Sequence, residues 1–221
     1  MLYVTGDMHG DVSAFRRPGI SRLRKNDCLF VCGDFGFIWQ GTPAEKRLLK
    51  WIGKRPYSVL FAEGCHENFD LLAQYETEEW NGGKVRRISG NLLQLMRGEI
   101  YTIENKRVFV FGGGESDEQD IRVEAGTYWP VAAPSTADAF NAQQHLTACG
   151  QKVDYIITHE APEKVRGFLS ESSGQEEYTP FMLNQLTAGC EFSMWYFGKY
   201  HMDRLIPPCY TAVFRKVLPM R

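Results

Sequence analysis

Short runs of hydrophobic residues recur along the chain, and each run ends in a turn rich in glycine and charged residues. They are LYVTGD at 2–7, CLFVCGD at 28–34, SVLFAEG at 58–64, RVFVFGGG at 107–114 and DYIITHE at 154–160. Continuous apolar runs of this length, bounded by turn residues, are typical of strands buried on both faces. The pattern therefore predicts strands that each deliver a polar loop at the carboxyl end.

Helices are predicted over residues 12–24, 43–54, 136–149 and 179–187. The second begins well, because Thr42 is a suitable N-cap and Pro43 fits the first helical turn. The first two separate the first three strands, which favours a βαβαβ start with parallel pairing.

Strand-like stretches from 84 to 111 alternate with turn residues and predict an antiparallel meander. SMWYFG at 193–198 and CYTAVFRKV at 209–217 predict the last strands, and residues 170–175 predict a polar loop. This order of elements indicates an α/β protein with two mixed β-sheets and helices outside them. No repeat, low-complexity tract or linker divides the sequence, so we expect a single domain over residues 1–221.

Composition narrows the classes of function. The formal net charge is only −2, so nothing in the overall charge favours nucleic acid or an anionic membrane as a partner. The first residues lack a basic leader followed by an apolar run, and no later stretch is long enough to span a membrane, so we expect a cytoplasmic protein. The six cysteines are scattered, and we expect them to be reduced thiols.

Acidic and imidazole side chains follow the predicted strands in a fixed order of motifs: GDMHGD, GDFG, GCHE, THE and GKYH. Carboxylate oxygens and neutral imidazole nitrogens are ligands that Mn, Fe and Zn accept. A carboxylate that bridges two such ions can hold them close enough to clamp one phosphate group. The order of motifs therefore predicts a metal centre built from loops at one end of the sheets.

These motifs resemble the signature of calcineurin-like metallophosphoesterases across nearly the whole chain, and ENFD, WNGGKV and LMRG resemble a bacterial branch of that superfamily. The resemblance implies a four-layer sandwich, two mixed β-sheets flanked by helices, that holds one or two divalent transition-metal ions (Mn, Fe or Zn). It also implies a hydrolase that cleaves a phosphate mono- or diester with metal-activated water. The substrate would be a small phosphate ester or a nucleotide.

The resemblance assigns roles residue by residue. It gives the metal-ligand role to Asp7, His9 and His201 for the first ion, to His159 for the second ion, and to Asp34 as the bridge. His66 matches the catalytic histidine that is not a ligand but faces the leaving group, where it can protonate the departing oxygen. Glu67 is then expected to orient His66.

Two positions depart from the family pattern, and both concern the second ion. Cys65 stands where the family has asparagine, and Lys199 stands where it has the first histidine of the last motif. Three interpretations stay open. Lys199 binds a phosphate oxygen in a one-metal enzyme, or Cys65 joins the ligands and favours a softer ion, or the chain is a catalytically impaired binding module.

Other residues are candidates for contact with the substrate. Arg97 and Arg122 can bind a phosphate group, or can pair with nearby acids instead. The aromatic residues from Phe35 to Trp39 are expected near the site, where they pack a core or stack on a substrate. Specificity is expected to lie in three loops, 35–42, 116–134 and 167–180.

Overall fold

A computed structural model describes residues 1–169 and 177–221 of the chain. The predicted polar loop at 170–175, and with it the middle of the predicted specificity loop 167–180, lies outside the described residues. The strands formed by the described residues are β1 (Leu2–Thr5), β2 (Cys28–Cys32), β3 (Ser58–Ala62), β4 (Thr77–Trp80), β5 (Gly83–Ser89), β6 (Leu92–Leu95), β7 (Glu99–Ile103), β8 (Lys106–Phe111), β9 (Tyr155–Thr158), β10 (Met194–Phe197), β11 (Arg204–Ile206), β12 (Tyr210–Ala212) and β13 (Leu218–Pro219).

The strands form two mixed sheets. The first has the order β13-β1-β2-β3-β6-β5-β4, with β1, β2, β3 and β6 parallel and antiparallel strands at both edges. The second has the order β11-β12-β10-β9-β8-β7, with a parallel centre of β12, β10, β9 and β8 and antiparallel edges. Parallel strands need both faces covered, which agrees with their continuous apolar sequences.

The inner faces of the two sheets pack against each other. Phe30 and Leu60 of the first sheet share one buried cluster with Val108, Val110 and Ile157 of the second, and all five are fully buried. At about 25 cal/mol per Å² of apolar surface removed from water, side chains of this size each contribute about 1.5–3 kcal/mol. This shared core holds the ends of both sheets at a fixed separation.

Helices cover the outer face of each sheet. The described helices are α1 (Pro18–Ser21), α2 (Pro43–Gly53), α3 (Phe69–Leu72), α4 (Gln119–Glu124), α5 (Thr136–Ala148), α6 (Glu163–Arg166) and α7 (Tyr178–Leu186), with 3₁₀ turns at Val12–Arg16 and Pro130–Ala132. Ile52 of α2 packs on the first sheet, and Leu146 of α5 and Leu183 of α7 pack on the second. The prediction of an α/β protein with two mixed sheets flanked by helices is confirmed.

The helix predicted over 12–24 is interrupted. It forms a 3₁₀ turn over Val12–Arg16 and a short helix that starts at Pro18. A residue that precedes proline is disfavoured in the α region, and Arg17 accordingly has extended geometry, with φ −56° and ψ 136°. The proline therefore begins a new turn instead of continuing the previous one.

The meander predicted over 84–111 is two hairpins in different sheets. β5 and β6 pair in the first sheet, and β7 and β8 pair in the second. The chain crosses between the sheets at Gly98, whose φ is +81° and where a Cβ would lie 3.2 Å from the backbone of Ala142. Glycine suits this crossing because it accepts the left-handed conformation and leaves room for α5.

The strand predicted over 209–217 is shorter, because the chain turns after β12. The Asp203 carboxylate accepts hydrogen bonds from the backbone N–H groups of Phe214, Arg215 and Lys216. These bonds replace a sheet ladder, and the chain then pairs with β1 through β13. Within the described residues, no helix is both long and apolar enough to cross a membrane.

Candidate metal centre

Loops at the carboxyl ends of parallel strands bring the predicted ligands together. Asp7 and Asp34 follow β1 and β2, and Cys65 follows β3 in the same sheet. His159 and His201 follow β9 and β10, which are parallel neighbours in the second sheet. The carboxyl ends of parallel neighbours lie at one edge of their sheet, so the folded core aligns these loops at a common end.

Four residues of these loops have left-handed backbone conformations. The φ angles are 46° at His9, 44° at Asp34, 62° at Lys199 and 47° at His201. Such conformations are uncommon outside glycine and cluster at functional sites, where the surrounding fold enforces them. Here they turn ligand side chains toward one another.

The first group of possible ligands contains Asp7, His9 and His201. The Nε2 atoms of His9 and His201 lie 2.9 Å apart, and Oδ2 of Asp7 lies 3.2 Å from Nε2 of His201 and 3.9 Å from Nε2 of His9. Asp7 is buried, and both of its oxygens accept a hydrogen bond from the backbone N–H of Lys199. This convergence of one oxygen and two nitrogens has the geometry to hold a metal ion.

Asp34 lies between the first group and a second one. Its Oδ2 atom is 3.9 Å from Nδ1 of His9, and its Oδ1 atom is 3.6 Å from Nε2 of His159. Each oxygen thus faces a different histidine, and Oδ2 faces Nδ1 of His9, while Nε2 of the same ring faces Asp7 and His201. The side chain is almost completely buried, so its orientation is fixed.

The second group contains Asp34, Cys65 and His159, and all three are buried. The Cys65 sulfur lies 3.6 Å from Nε2 of His159, while the Nδ1 atom of His159 lies 3.2 Å from the backbone oxygen of Cys32. That second contact fixes the ring and leaves Nε2 directed at Asp34 and Cys65. A set of oxygen, nitrogen and sulfur ligands suits Zn or Fe better than Mn.

Electrostatic interactions in this buried group favour charged side chains. Burial would raise the pKa of Asp34, but His159 and His66 outweigh it and hold that pKa well below its usual range. Burial would lower the pKa of His159, but Asp34 and Cys65 raise it well above the ordinary value. Burial and Asp34 raise the pKa of the Cys65 thiol, yet hydrogen bonds with His159 and His66 leave it below normal. A lowered thiol pKa favours the thiolate, which is the form that binds metals.

His66 lies beside Asp34 and forms a third group of possible ligands with His9 and Asp34. Its Nδ1 atom is 3.0 Å from Oδ2 of Asp34, and its Nε2 atom is 3.8 Å from Oε2 of Glu118. Burial would lower the pKa of His66, but the hydrogen bond with Asp34 and the neighbouring Cys65 raise it to about 10. This direction favours the protonated imidazole, which is the form that a general acid needs.

Glu67 does not orient His66, contrary to expectation. Its two carboxylate oxygens accept hydrogen bonds from the backbone N–H groups of Phe35, at 2.7 Å, and Gly36, at 3.2 Å. Glu67 thus fixes the loop that follows Asp34, and Asp34 itself orients His66. Burial and the nearby Asp34 raise the pKa of Glu67 to about 8.

We expect Glu67→Ala to lower the free energy of unfolding by roughly 2–4 kcal/mol, because two backbone donors lose their acceptor and buried unsatisfied groups are costly. Urea denaturation measures the change. Glu191→Ala is the control, since that carboxylate is exposed and pairs with an exposed lysine. Equal losses in the two variants would contradict the role assigned to Glu67.

The Lys199 ammonium group does not lie free beside the ligands. It donates to Oε2 of Glu160 at 2.5 Å, to Oε1 of Glu177 at 3.1 Å and to the backbone oxygen of Glu115 at 3.2 Å. Its three N–H donors are therefore occupied. Burial would lower the pKa of Lys199, but Glu160 and Glu177 raise it. The predicted role of Lys199 as a phosphate ligand is not supported by these contacts.

The Arg97 guanidinium group also has protein partners. It lies 3.0 Å from Oε1 of Glu63 and 3.1 Å from Oδ2 of Asp138, and it donates to the backbone oxygens of Val131 and Ala132. Its side chain is only 8% exposed. Of the two alternatives for Arg97, the structure favours pairing with acids over binding a substrate phosphate.

The sequence offered little sign of the residues that hold Lys199. Glu160 stands inside the THE motif, so its proximity to the site was predictable, but its pairing was not. Glu177 is far from every motif in sequence, and only the fold brings it to the ammonium group. Glu177 also forms an ion pair with Arg166 at 2.7 Å, which extends the charged network beyond the site.

No protein-family model matches the chain, and no curated protein matches its sequence. The assignment of a family therefore depends on the motifs and on the arrangement of their side chains.

Proposed function

We propose that the protein is a calcineurin-like metallophosphoesterase that hydrolyses a phosphate mono- or diester. The observation that carries this proposal is the convergence of five candidate ligands from four loops: Asp7, His9, Asp34, His159 and His201. Their order in the sequence resembles the order of that superfamily's motifs, and Asp34 lies near both His9 and His159. Two helix-flanked mixed sheets are compatible with its four-layer sandwich.

The side chains fit one or two transition-metal ions. Asp7, His9 and His201 would hold the first, and Asp34, Cys65 and His159 would hold the second. A divalent ion bound there supplies Lewis acidity toward a phosphoryl oxygen and lowers the pKa of water. The contacts of Lys199 and the burial of Cys65 favour the interpretation in which Cys65 is a ligand over the one in which Lys199 binds phosphate.

The remaining groups of the site orient these ligands and move a proton. The backbone N–H of Lys199 donates to Asp7 and fixes that carboxylate. Asp34 orients His66 through Nδ1, so that Nε2 faces away from the ligands and can donate its proton to the leaving oxygen. Glu67 fixes the loop that carries Asp34.

Metal content and turnover together test the proposal. We expect elemental analysis of protein purified without chelator to find one or two ions per chain. We also expect hydrolysis of p-nitrophenyl phosphate or bis-p-nitrophenyl phosphate that depends on added Mn, Fe or Zn. Protein that contains no metal and hydrolyses neither compound would overturn the proposal. That result would instead favour a catalytically impaired binding module. The reason to consider this alternative is that Lys199 stands where the superfamily has a ligand histidine.

We expect His66→Ala to lower kcat by about 10²–10⁴, the usual contribution of a general acid, and to leave the metal content unchanged. His145→Ala is the matched control, because His145 lies on α5 and bonds to the backbone oxygen of Gly98. Loss of metal in His66→Ala would contradict the assigned role, since it would make His66 a ligand.

A further inference from the structure

A cleft with a volume of about 400 Å³ opens beside the candidate metal centre. It is lined by His9, Gly10, Gly36, Glu45 and His66, and also by Trp39, Gln40 and Arg122. The last three belong to no metal-ligand group. Their positions next to His66, the proposed proton donor, place the cleft where the leaving group of a substrate would lie.

Arg122 is a nearly buried cation with few partners. Its side chain is 12% exposed, and its Nη1 atom donates to the backbone oxygen of Thr127 at 3.3 Å. Its Nε atom is buried and has no hydrogen-bond partner in the described part of the chain. A guanidinium group has five N–H donors, so most of its capacity remains for an anion in the cleft.

Glu118 lies between Arg122 and His66 of the cleft. Its Oε2 atom is 3.7 Å from Nε of Arg122 and 3.8 Å from Nε2 of His66. Both distances are longer than a hydrogen bond, and the Glu118 side chain is 59% exposed. The carboxylate is therefore loosely held at a position suited to an anionic group of a ligand.

Trp39 forms a rigid aromatic wall. Its ring packs edge-to-face on Trp129, with the centroids 5.8 Å apart, and its backbone oxygen accepts a hydrogen bond from Asn68 at 2.8 Å. Phe35 and Phe37 of the same loop are buried in the core, whereas Trp39 is only half-buried and lines the cleft. The adjacent Gln40 is exposed, and its amide can both donate to and accept from the edge of a planar ring.

We propose that this cleft binds the nucleoside part of a nucleotide substrate, with Trp39 stacked on the base, Gln40 near its edge and Arg122 on an anionic oxygen. The inference rests on the proposed function, because it names the class of phosphate ester that the metal centre would cleave. Stacking on an aromatic side chain selects substrates that carry a base, and Arg122 acts on any substrate that carries the phosphate. The two residues therefore have separable effects.

The test compares deoxyadenosine 5′-phosphate with 2-deoxyribose 5-phosphate, which share the 5-phosphate ester and differ at C1′, where the sugar phosphate carries a hydroxyl group instead of the base. We expect kcat/KM to be roughly tenfold or more higher for the nucleotide, which is within the range of base stacking on an aromatic ring. Trp39→Leu should bring this ratio near one, while turnover of the sugar phosphate and the metal content stay unchanged.

Arg122 and Glu118 should act on both substrates and in opposite directions. We expect Arg122→Met to raise KM roughly tenfold for each, with partial recovery in Arg122→Lys, because lysine keeps the charge and loses the planar fork. Glu118→Gln should lower KM, since it removes the carboxylate that competes for Arg122. Arg24→Met is the control, because Arg24 is exposed and lies before β2, at the opposite end of that strand from the ligands.

One outcome would overturn the nucleotide subsite and leave the phosphoesterase proposal intact. It is metal-dependent turnover in which kcat/KM is equal for the two substrates and does not change in Trp39→Leu. Absence of turnover on every substrate would overturn the phosphoesterase proposal. In that case, calorimetric titration with the same two compounds still tests whether the cleft binds the nucleoside part. Tighter binding of the nucleotide that Trp39→Leu abolishes supports the subsite, and equal or undetectable binding of the two compounds contradicts it.

Discussion

Lys199→Met is expected to lower the free energy of unfolding by about 3–5 kcal/mol, the usual cost of removing one partner from a buried ion pair. The Lys199 side chain is 10% exposed, and those of Glu160 and Glu177 are 0% and 5% exposed. Without the ammonium group, two carboxylates are left close together and away from water. Urea denaturation measures the loss.

The cause can be separated from simple loss of packing. Methionine keeps most of the apolar length of lysine, so the variant removes charge more than volume. Glu160→Gln combined with Lys199→Met should recover part of the stability, because one uncompensated charge is then gone. Lys152→Met is the control, since its ion pair with Glu191 is more than 70% exposed on both sides and contributes little. Equal losses for Lys199→Met and Lys152→Met would contradict the role of the network.

This network also bears on the position where Lys199 departs from the motif of the proposed superfamily. Histidine at position 199 is shorter than lysine and does not reach the carboxylates of Glu160 and Glu177 as an ammonium group does. Among the described residues, Lys199→His alone would therefore leave Glu160 without an ion-pair partner and Glu177 with Arg166 only, whatever it did for metal binding. Lys199 is therefore not an isolated difference in one motif. It pairs with Glu160, the residue immediately after His159.

The strands and the order of the ligand loops could be predicted from the sequence because both are local properties. Continuous apolar runs such as CLFVC indicate buried strands, and the residues that follow them must then lie at strand ends. The division of the candidate ligands into separate groups around Asp34 was harder to predict. The distances between their atoms depend on how the two sheets pack. The break at Pro18 was visible in the sequence, because a proline disfavours the α region at the residue before it, but the helix predicted over 12–24 did not take it into account.

Pairings between distant residues could not be predicted. Glu67 was expected to bond to its neighbour His66, yet it bonds to the backbone of the loop after β2, more than 30 residues away in the chain. Lys199 and Arg97 carry charges suited to phosphate, and only the fold shows that carboxylates already surround them. A charged side chain in a motif indicates chemistry, but its partners are decided by tertiary contacts.

Asp34→Asn is expected to remove metal and activity together. Oδ1 of Asp34 faces His159 and accepts the backbone N–H of His66 at 2.8 Å, while Oδ2 faces His9 and His66. Asparagine has the same shape but no charge, and it replaces one ligand oxygen by an N–H donor. A metal ion contributes several kcal/mol to stabilising charge in the transition state, so we expect kcat/KM to fall by at least about 10³.

Elemental analysis and turnover are measured on the same preparations of wild type, Asp34→Asn and Asp154→Asn. Asp154 is a suitable control because its carboxylate pairs with Lys106 on the surface, away from the ligand loops. A cooperative urea transition would show that Asp34→Asn is folded, and its midpoint should lie below that of wild type because the buried charge that pairs with His66 and His159 is gone. Full metal content in Asp34→Asn would show that Asp34 does not bridge the two groups. Full turnover would show that hydrolysis takes place at another site, because every proposed step depends on ligands that Asp34 holds in place.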